Sequence, residues 1–299
     1  MRNAVGLALL ALVAAAVPLC AQAELPRLCD RPGTLTAAQQ DRLLRVSAIV
    51  KAELTRSGQR VALVSRSGLN LDRLGLRYSH AGFTLRESAN GPWSVRQLYY
   101  ACDEGRPRLF DQGLSGFLFG TDDPARGALS LVFLPQNDAD ALERTVLDTR
   151  QALALLGTAY SANAYAWGQR YQNCNQWAIE LFATARGGLV EADRTAAQQW
   201  LQTQGYAPRV IDLGFAPLLW FSAFSPWLHN DDHPADDLQQ ARYRVSMPVS
   251  IEAFVQATVP GATRIEVCHT GARVVIHPGW TPIGEACEPG DGDTVVALD

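Results

Sequence analysis

The sequence predicts an α+β fold built on an antiparallel sheet. Helical and strand patterns follow one another without the regular strand–helix alternation of a doubly wound parallel sheet. Two pairs of strand patterns are separated by short turns, which favours antiparallel hairpins. Hydrophobic residues make up 47% of the 299 residues and charged residues 19%, a balance that is typical of a packed globular protein.

The N-terminus predicts a cleavable signal peptide over residues 1–23. Arg2 precedes an apolar run over residues 4–19, and residues 21–23 read Ala-Gln-Ala, a small-x-small cleavage site. The apolar run is shorter than the ~20 residues that span a bilayer. We therefore expect cleavage after Ala23 and a mature chain that is periplasmic or secreted.

The first helix is predicted over residues 36–56, where Thr36 and Gln39 form a capping box ahead of an apolar face. A hairpin follows, with Asn90-Gly91 as its turn. A mostly apolar run then indicates a strand in the centre of the sheet. The predicted strands cover residues 60–65, 76–87, 93–101 and 128–134.

In the second half, Asp138 or Asp140 is predicted to cap one long helix that runs to Gly157. Residues 24–205 are interpreted as one α+β domain, and residues 206–299 as a C-terminal extension packed on the same domain. Further helices are predicted over residues 175–185, 193–204 and 251–258, and a C-terminal hairpin over residues 263–268 and 273–277.

The cysteines suit an oxidising compartment. Cys268 and Cys287 flank a strand–turn segment and are predicted to pair. Cys29 and Cys102 are then the natural second pair, and Cys174 is left over. Because spacing does not determine connectivity, these pairs are hypotheses, and a buried structural role for Cys174 stays open.

Composition narrows the class of partner. The net charge of −4 argues against nucleic-acid binding, which needs a basic face. No cofactor or metal is expected, since the spacing of His229 and His233 matches no common zinc motif. An uncharged aromatic stretch over residues 215–227 is interpreted either as domain core or as a peripheral membrane contact.

Two local patterns carry candidate chemistry. Cys174 lies at the N-terminus of a predicted helix, where the dipole and the free N–H groups are expected to lower the thiol pKa. His80 lies on a strand, where the small residues Ala81 and Gly82 leave room beside its ring. A thiolate beside an imidazole is the minimum machinery for attack on an acyl carbon. Taken singly, each residue also fits a structural role.

The same residues support a family resemblance. A histidine strand over residues 78–83, followed much later by Asn173-Cys174 at a helix start, resembles the circularly permuted NlpC/P60 branch of papain-like folds. The whole chain also resembles a bacterial family, the domain of unknown function 2145. The matching stretches are residues 78–83, 93–98, 110–114 and 171–180.

The resemblance implies an antiparallel sheet packed against the cysteine helix, with Cys174 as the nucleophile and His80 as the general base. It also implies a third polar residue on the next strand, where Gln97 is the best match and many relatives carry a histidine. A glutamine can accept the imidazole N–H and fix its tautomer. It cannot stabilise an imidazolium as a carboxylate would.

We therefore expect an exported thiol hydrolase or acyltransferase that acts on an amide, ester or thioester. A cell-wall peptide and a lipid or acyl compound are the two substrate classes that the resemblance implies. The alternative is a non-catalytic envelope binding or assembly protein that retains the papain-like fold.

Overall fold

The computed structural model describes residues 34–214 and 225–298. The predicted signal peptide, Cys29 and most of the aromatic stretch lie outside these residues. The helices are α1 (Ala37–Arg56), α2 (Leu114–Phe119), α3 (Gln136–Leu147), α4 (Thr149–Ala154), α5 (Cys174–Gly187), α6 (Arg194–Thr203), α7 (Ala235–Gln239) and α8 (Pro248–Thr258). The strands are β1 (Val61–Arg66), β2 (His80–Leu85), β3 (Ser94–Ala101), β4 (Arg106–Gln112), β5 (Arg126–Phe133), β6 (Arg209–Asp212), β7 (Arg242–Val245), β8 (Thr263–Thr270), β9 (Arg273–Pro278) and β10 (Thr294–Ala297).

Eight strands form one antiparallel sheet in the order β10-β9-β8-β5-β1-β2-β3-β4, and β6 pairs with β7 in a separate ribbon. On one face, α3, α5 and α8 pack through a core that includes Trp177 and Phe182. On the other face, α1 and α2 pack through Val46 and Phe117. Because helices cover both faces, every residue of β1 is buried, and its first four residues are apolar.

The capping box of α1 is confirmed. Gln39 N donates to Thr36 Oγ1 at 3.3 Å, and Thr36 N donates to Gln39 Oε1 at 2.8 Å. The two predicted hairpins are present as β2–β3 and β8–β9. Strands β8, β9 and β10 come from residues 206–299 and extend the same sheet through the pairing of β5 with β8.

The predicted disulfide between Cys268 and Cys287 is confirmed, with 5.6 Å between the two Cα atoms. Cys102 is also disulfide-bonded, and its predicted partner lies outside the described residues. Cys174 is a free, buried thiol. No helix within residues 34–214 and 225–298 has both the length and the apolarity needed to cross a membrane.

The single long helix predicted up to Gly157 is wrong, because the chain breaks at Asp148 into α3 and α4. The Asp148 backbone is extended, and its carboxylate accepts from the N–H groups of Arg150 and Gln151 at 3.0 and 3.1 Å. A side chain that bonds these N–H groups competes with continuation of the helix. Pro135 occupies the N-cap position of α3, so neither predicted aspartate caps that helix.

Candidate active site

Helix α5 begins at Cys174 because Asn173 caps it. Asn173 Oδ1 accepts from Gln176 N at 2.7 Å, and Asn173 Nδ2 donates to Ala162 O at 3.3 Å. The extended backbone at Asn173 (φ −104°, ψ 173°) is the usual geometry of an N-cap. These bonds hold Cys174 in the first turn, where its sulfur is within reach of the backbone N–H of Ala81 in β2.

His80 opens β2 and pairs directly with Arg66 at the end of β1. His80 Nε2 lies 2.6 Å from Gln97 Oε1, and Gln97 Nε2 donates to Gln112 Oε1 at 2.8 Å. Because the amide group of Gln97 donates in that second bond, its oxygen accepts from His80, which assigns the ring proton to Nε2. Nδ1 of the neutral ring therefore carries a lone pair, and no group among the described residues bonds to it.

Gly82 allows β2 and β3 to approach closely enough for this bond. A Cβ at Gly82 would lie 2.8 Å from Arg96 O and 3.1 Å from Gln97 Cβ, so a larger residue would push the strands apart. Gln97 is fully buried behind the imidazole. The His80 ring stacks on Tyr99, with 4.7 Å between the ring centroids.

Cys174 and His80 line the same cavity, which has a volume of about 330 Å³. Arg66, Tyr99 and Tyr160 lie in the wall beside them. Among the described residues, no hydrogen bond joins the Cys174 sulfur to the His80 ring. Much of the remaining wall is apolar and comprises Leu69, Leu71, Leu74, Leu98, Ile211, Leu213, Leu228, Val245 and Met247.

Comparison with known families adds one finding. The family model described as an uncharacterized protein conserved in bacteria (DUF2145) matches residues 53–255. The chain belongs to this family. The match covers more than half of the chain and contains Cys174, His80 and Gln97. No curated protein and no solved structure matches the chain.

In this DUF2145 protein, burial dominates the electrostatics of the thiol. Burial raises the pKa of Cys174 to about 11, although Arg66 and the backbone N–H groups of Asn175, Ala81 and Cys174 itself lower it. The expectation that the helix start lowers the thiol pKa is therefore wrong in its net direction. The N–H groups act as expected, but the loss of water outweighs them, and sulfur is a neutral thiol at pH 7.

The imidazole is also neutral. Burial and the nearby cation of Arg66 lower the pKa of His80 to about 3, whereas the bond to Gln97 raises it. The resting pair in this DUF2145 chain is therefore a thiol and an imidazole with an acceptor at Nδ1. Such a pair can move a proton from sulfur to nitrogen as a reaction proceeds.

Three site residues were not predicted from the sequence. Arg66 ends a strand whose first four residues are apolar, and that position is the only signal the sequence offers for it. Tyr99 and Tyr160 reach the cavity from β3 and from the loop before α5. Burial raises the pKa of Tyr160, with further contributions from Cys174 and Tyr99, so its hydroxyl stays protonated and can donate.

Proposed function

We propose that this protein is an exported cysteine hydrolase or acyltransferase that acts on an amide, ester or thioester. Cys174 is the nucleophile, His80 is the general base, and Gln97 positions His80. The observation that carries the proposal is the shared cavity. There, a free thiol at a helix start lines the same cavity as an imidazole whose Nδ1 bonds no group of the described residues.

The chemistry begins with a neutral pair. His80 Nδ1 takes the thiol proton as the Cys174 sulfur bonds to the carbonyl carbon. The carbonyl oxygen becomes an oxyanion near the first N–H groups of α5, at the positive end of the helix dipole. Collapse breaks the bond to the leaving group, which takes the proton from His80. Water then attacks the thioester with His80 as base, releases the acid and restores the thiol.

Gln97 is a positioning residue in this scheme. Its oxygen holds the Nε2 proton at 2.6 Å, so the lone pair of the ring stays on Nδ1. As a neutral acceptor, it stabilises an imidazolium less than a carboxylate would. The proposed mechanism therefore transfers the proton during attack and does not require a preformed thiolate–imidazolium pair.

The fold and the disulfides support two finer parts of the proposal. The histidine strand precedes the cysteine helix, and α5 packs directly on β2 and β3, an arrangement that suits a circularly permuted papain-like fold of the NlpC/P60 type. The Cys268–Cys287 disulfide suits an oxidising compartment. Together with the predicted signal peptide, it supports a periplasmic or secreted location.

The test is hydrolysis by the chain that begins at Glu24, assayed on an octanoyl ester, thioester and anilide and on a cell-wall peptide amide. Cys174→Ala should abolish turnover, and His80→Ala should lower kcat/KM by about 10²–10⁴-fold. His269 is buried outside the cavity, so His269→Ala is the matched control and should keep its activity. Turnover that persists in Cys174→Ala would refute the proposal.

The non-catalytic alternative is supported by the largely apolar cavity wall and by the neutral thiol. It treats the cavity as a binding site for a small apolar or amphiphilic compound. It predicts that the protein binds such a compound without converting it, and that Cys174→Ala leaves both the affinity and the phenotype of the producing cell unchanged.

A further inference from the structure

Arg66 is a buried cation in the wall of the cavity, with 3% of its surface exposed. Its Nη1 donates to Gly120 O at 2.5 Å and to Ser67 O at 3.2 Å, and its Nη2 donates to the hydroxyl of Tyr99. The guanidinium also lies 5.1 Å from the centroid of the Phe117 ring. All of these partners are neutral.

The other deeply buried arginines have acidic partners. Arg194 bonds Glu180 at 3.0 Å, and Arg264 bonds Glu252 and Glu266, both at 3.1 Å. Among residues 34–214 and 225–298, no carboxylate lies at salt-bridge distance from Arg66. Because buried charges are normally paired, the missing partner of Arg66 points to a charge that comes from outside the described chain.

The described residues of the cavity wall carry no carboxylate. No aspartate or glutamate of the described residues lines it. Its titratable members are Arg66, His80, Tyr99, Tyr160, Cys174 and Tyr243. Since the thiol and the imidazole are neutral, Arg66 dominates the potential in the cavity and attracts anions.

Arg66 and Tyr99 can each donate a further hydrogen bond beside the cavity. Nη2 of Arg66 has two N–H groups, of which one is used by Tyr99. The Tyr99 hydroxyl accepts that bond, and its own proton is donated to no group of the described chain. A Cβ at Gly120 would collide with both the guanidinium and the Tyr99 hydroxyl, so glycine keeps the space next to these two donors open.

We propose that Arg66 and Tyr99 bind an anionic oxygen group of the substrate beside Cys174. The substrate is then a negatively charged amphiphile, with a carboxylate or phosphate close to the scissile carbonyl and an apolar portion against the leucine-rich wall. That the bound anion is a substrate with a scissile carbonyl rests on the proposed function. The binding site itself does not depend on turnover.

The test measures binding in the Cys174→Ala protein, which cannot form an acyl-enzyme. Octanoate, octyl phosphate and octan-1-ol are titrated separately by calorimetry. We expect the preferred anion to bind about 10- to 100-fold more tightly than the alcohol, as one charge-assisted bond predicts. The stronger of the two anions identifies the carboxylate or the phosphate as the recognised group.

Adding Arg66→Met should remove this preference and leave the affinity for octan-1-ol unchanged, which also shows that the cavity is intact. Tyr99→Phe should reduce the preference in part. Arg73 is exposed, so Arg73→Met is the matched control for net charge and should have no effect. If Arg66→Met does not fold, Gly120→Ala is the second variant and should also lose the preference.

Equal affinities for all three compounds, or a preference that survives these variants, would overturn the inference. The outcome is separable from that of the proposed function. Charge-selective binding without any Cys174-dependent turnover refutes the hydrolase and keeps the anion site. Cys174-dependent turnover without charge-selective binding keeps the hydrolase and refutes the anion site.

Discussion

Arg194 and Arg66 are both buried, but their surroundings differ. Arg194 Nε bonds Glu180, and its Nη atoms donate to three backbone carbonyls at 2.9–3.1 Å. Glu180 is further bonded by Gln172 and Gln198, each at 2.6 Å. Within the described residues, Arg66, in contrast, bonds neutral groups only, and its Nε is buried without a partner.

This difference in bonding partners distinguishes a residue that supports the fold, Arg194, from a residue of the candidate site, Arg66. The bonds of Arg194 and Glu180 tie the loop of residues 168–172, which precedes α5, to the middle of that helix, so these groups are bonded within the fold. Among the residues that the structure describes, no group bonds Nδ1 of His80, none accepts the hydroxyl proton of Tyr99, and no carboxylate pairs with Arg66. Buried polar groups without hydrogen-bond partners destabilise a fold. A ligand that bonds them in the cavity would remove this cost.

The largest expected effect tests this comparison directly. Arg194→Met leaves the buried carboxylate of Glu180 without its charge partner, so we expect a loss of about 3–5 kcal/mol in the free energy of unfolding. Arg66→Met removes an unpaired buried charge, which stabilises the fold, and also the bonds to Ser67, Gly120 and Tyr99, which destabilises it. Because these two effects oppose each other, we expect a net change within about 1 kcal/mol. Urea denaturation measures both values. Equal losses of unfolding free energy in the two variants would contradict the proposed difference between Arg194 and Arg66.

The second effect concerns acid stability. His80 has a pKa of about 3 in the folded protein, against an unfolded value near 6.5. Between these values the unfolded chain binds the extra proton, so stability falls as pH drops from 6.5 towards 3, by about 1.4 kcal/mol per unit. His80→Gln should flatten the dependence of the unfolding free energy on pH by that slope. An unchanged slope would show that His80 titrates normally.

The third effect is on the pH profile of the proposed reaction. Because His80 stays unprotonated above about pH 4, kcat/KM should be flat between pH 5 and 8. Gln97→Glu places a carboxylate against the ring, raises the pKa of His80 and should bring an acid limb into that range, with about tenfold loss at pH 5. Gln169 is exposed beside the Arg194 cluster, and Gln169→Glu should leave the profile flat.

The sequence predicted the features that are determined locally. The cap at Thr36, the Asn-Gly hairpin and the placement of Cys174 at a helix start are local features, and residues a few positions apart determine them. The local pattern also pointed to His80 as a candidate, and the resemblance pointed to Gln97. That His80 lines one cavity with Cys174, with Gln97 buried behind the ring, depends on sheet register, which sequence spacing does not reveal.

Features that depend on tertiary contacts were missed. Strand β4 lies at the sheet edge and has a mostly polar, half-exposed sequence, so it lacks the alternation of a buried strand. A local sequence pattern also does not show how deeply Cys174 and Arg66 are buried. That is why the pKa of Cys174 moves opposite to the expectation from the helix dipole, and why Arg66 was not recognised as part of the site.

The most direct test of the central claim is whether Cys174 becomes acylated. The Glu24–Asp299 chain is mixed with p-nitrophenyl octanoate, quenched in acid within the first turnovers and analysed by intact mass and peptide mapping. We predict one octanoyl group on Cys174, strongly reduced in His80→Ala and unaffected in His269→Ala. Turnover of the ester with no octanoyl group on Cys174, or equal acylation without His80, would contradict the account.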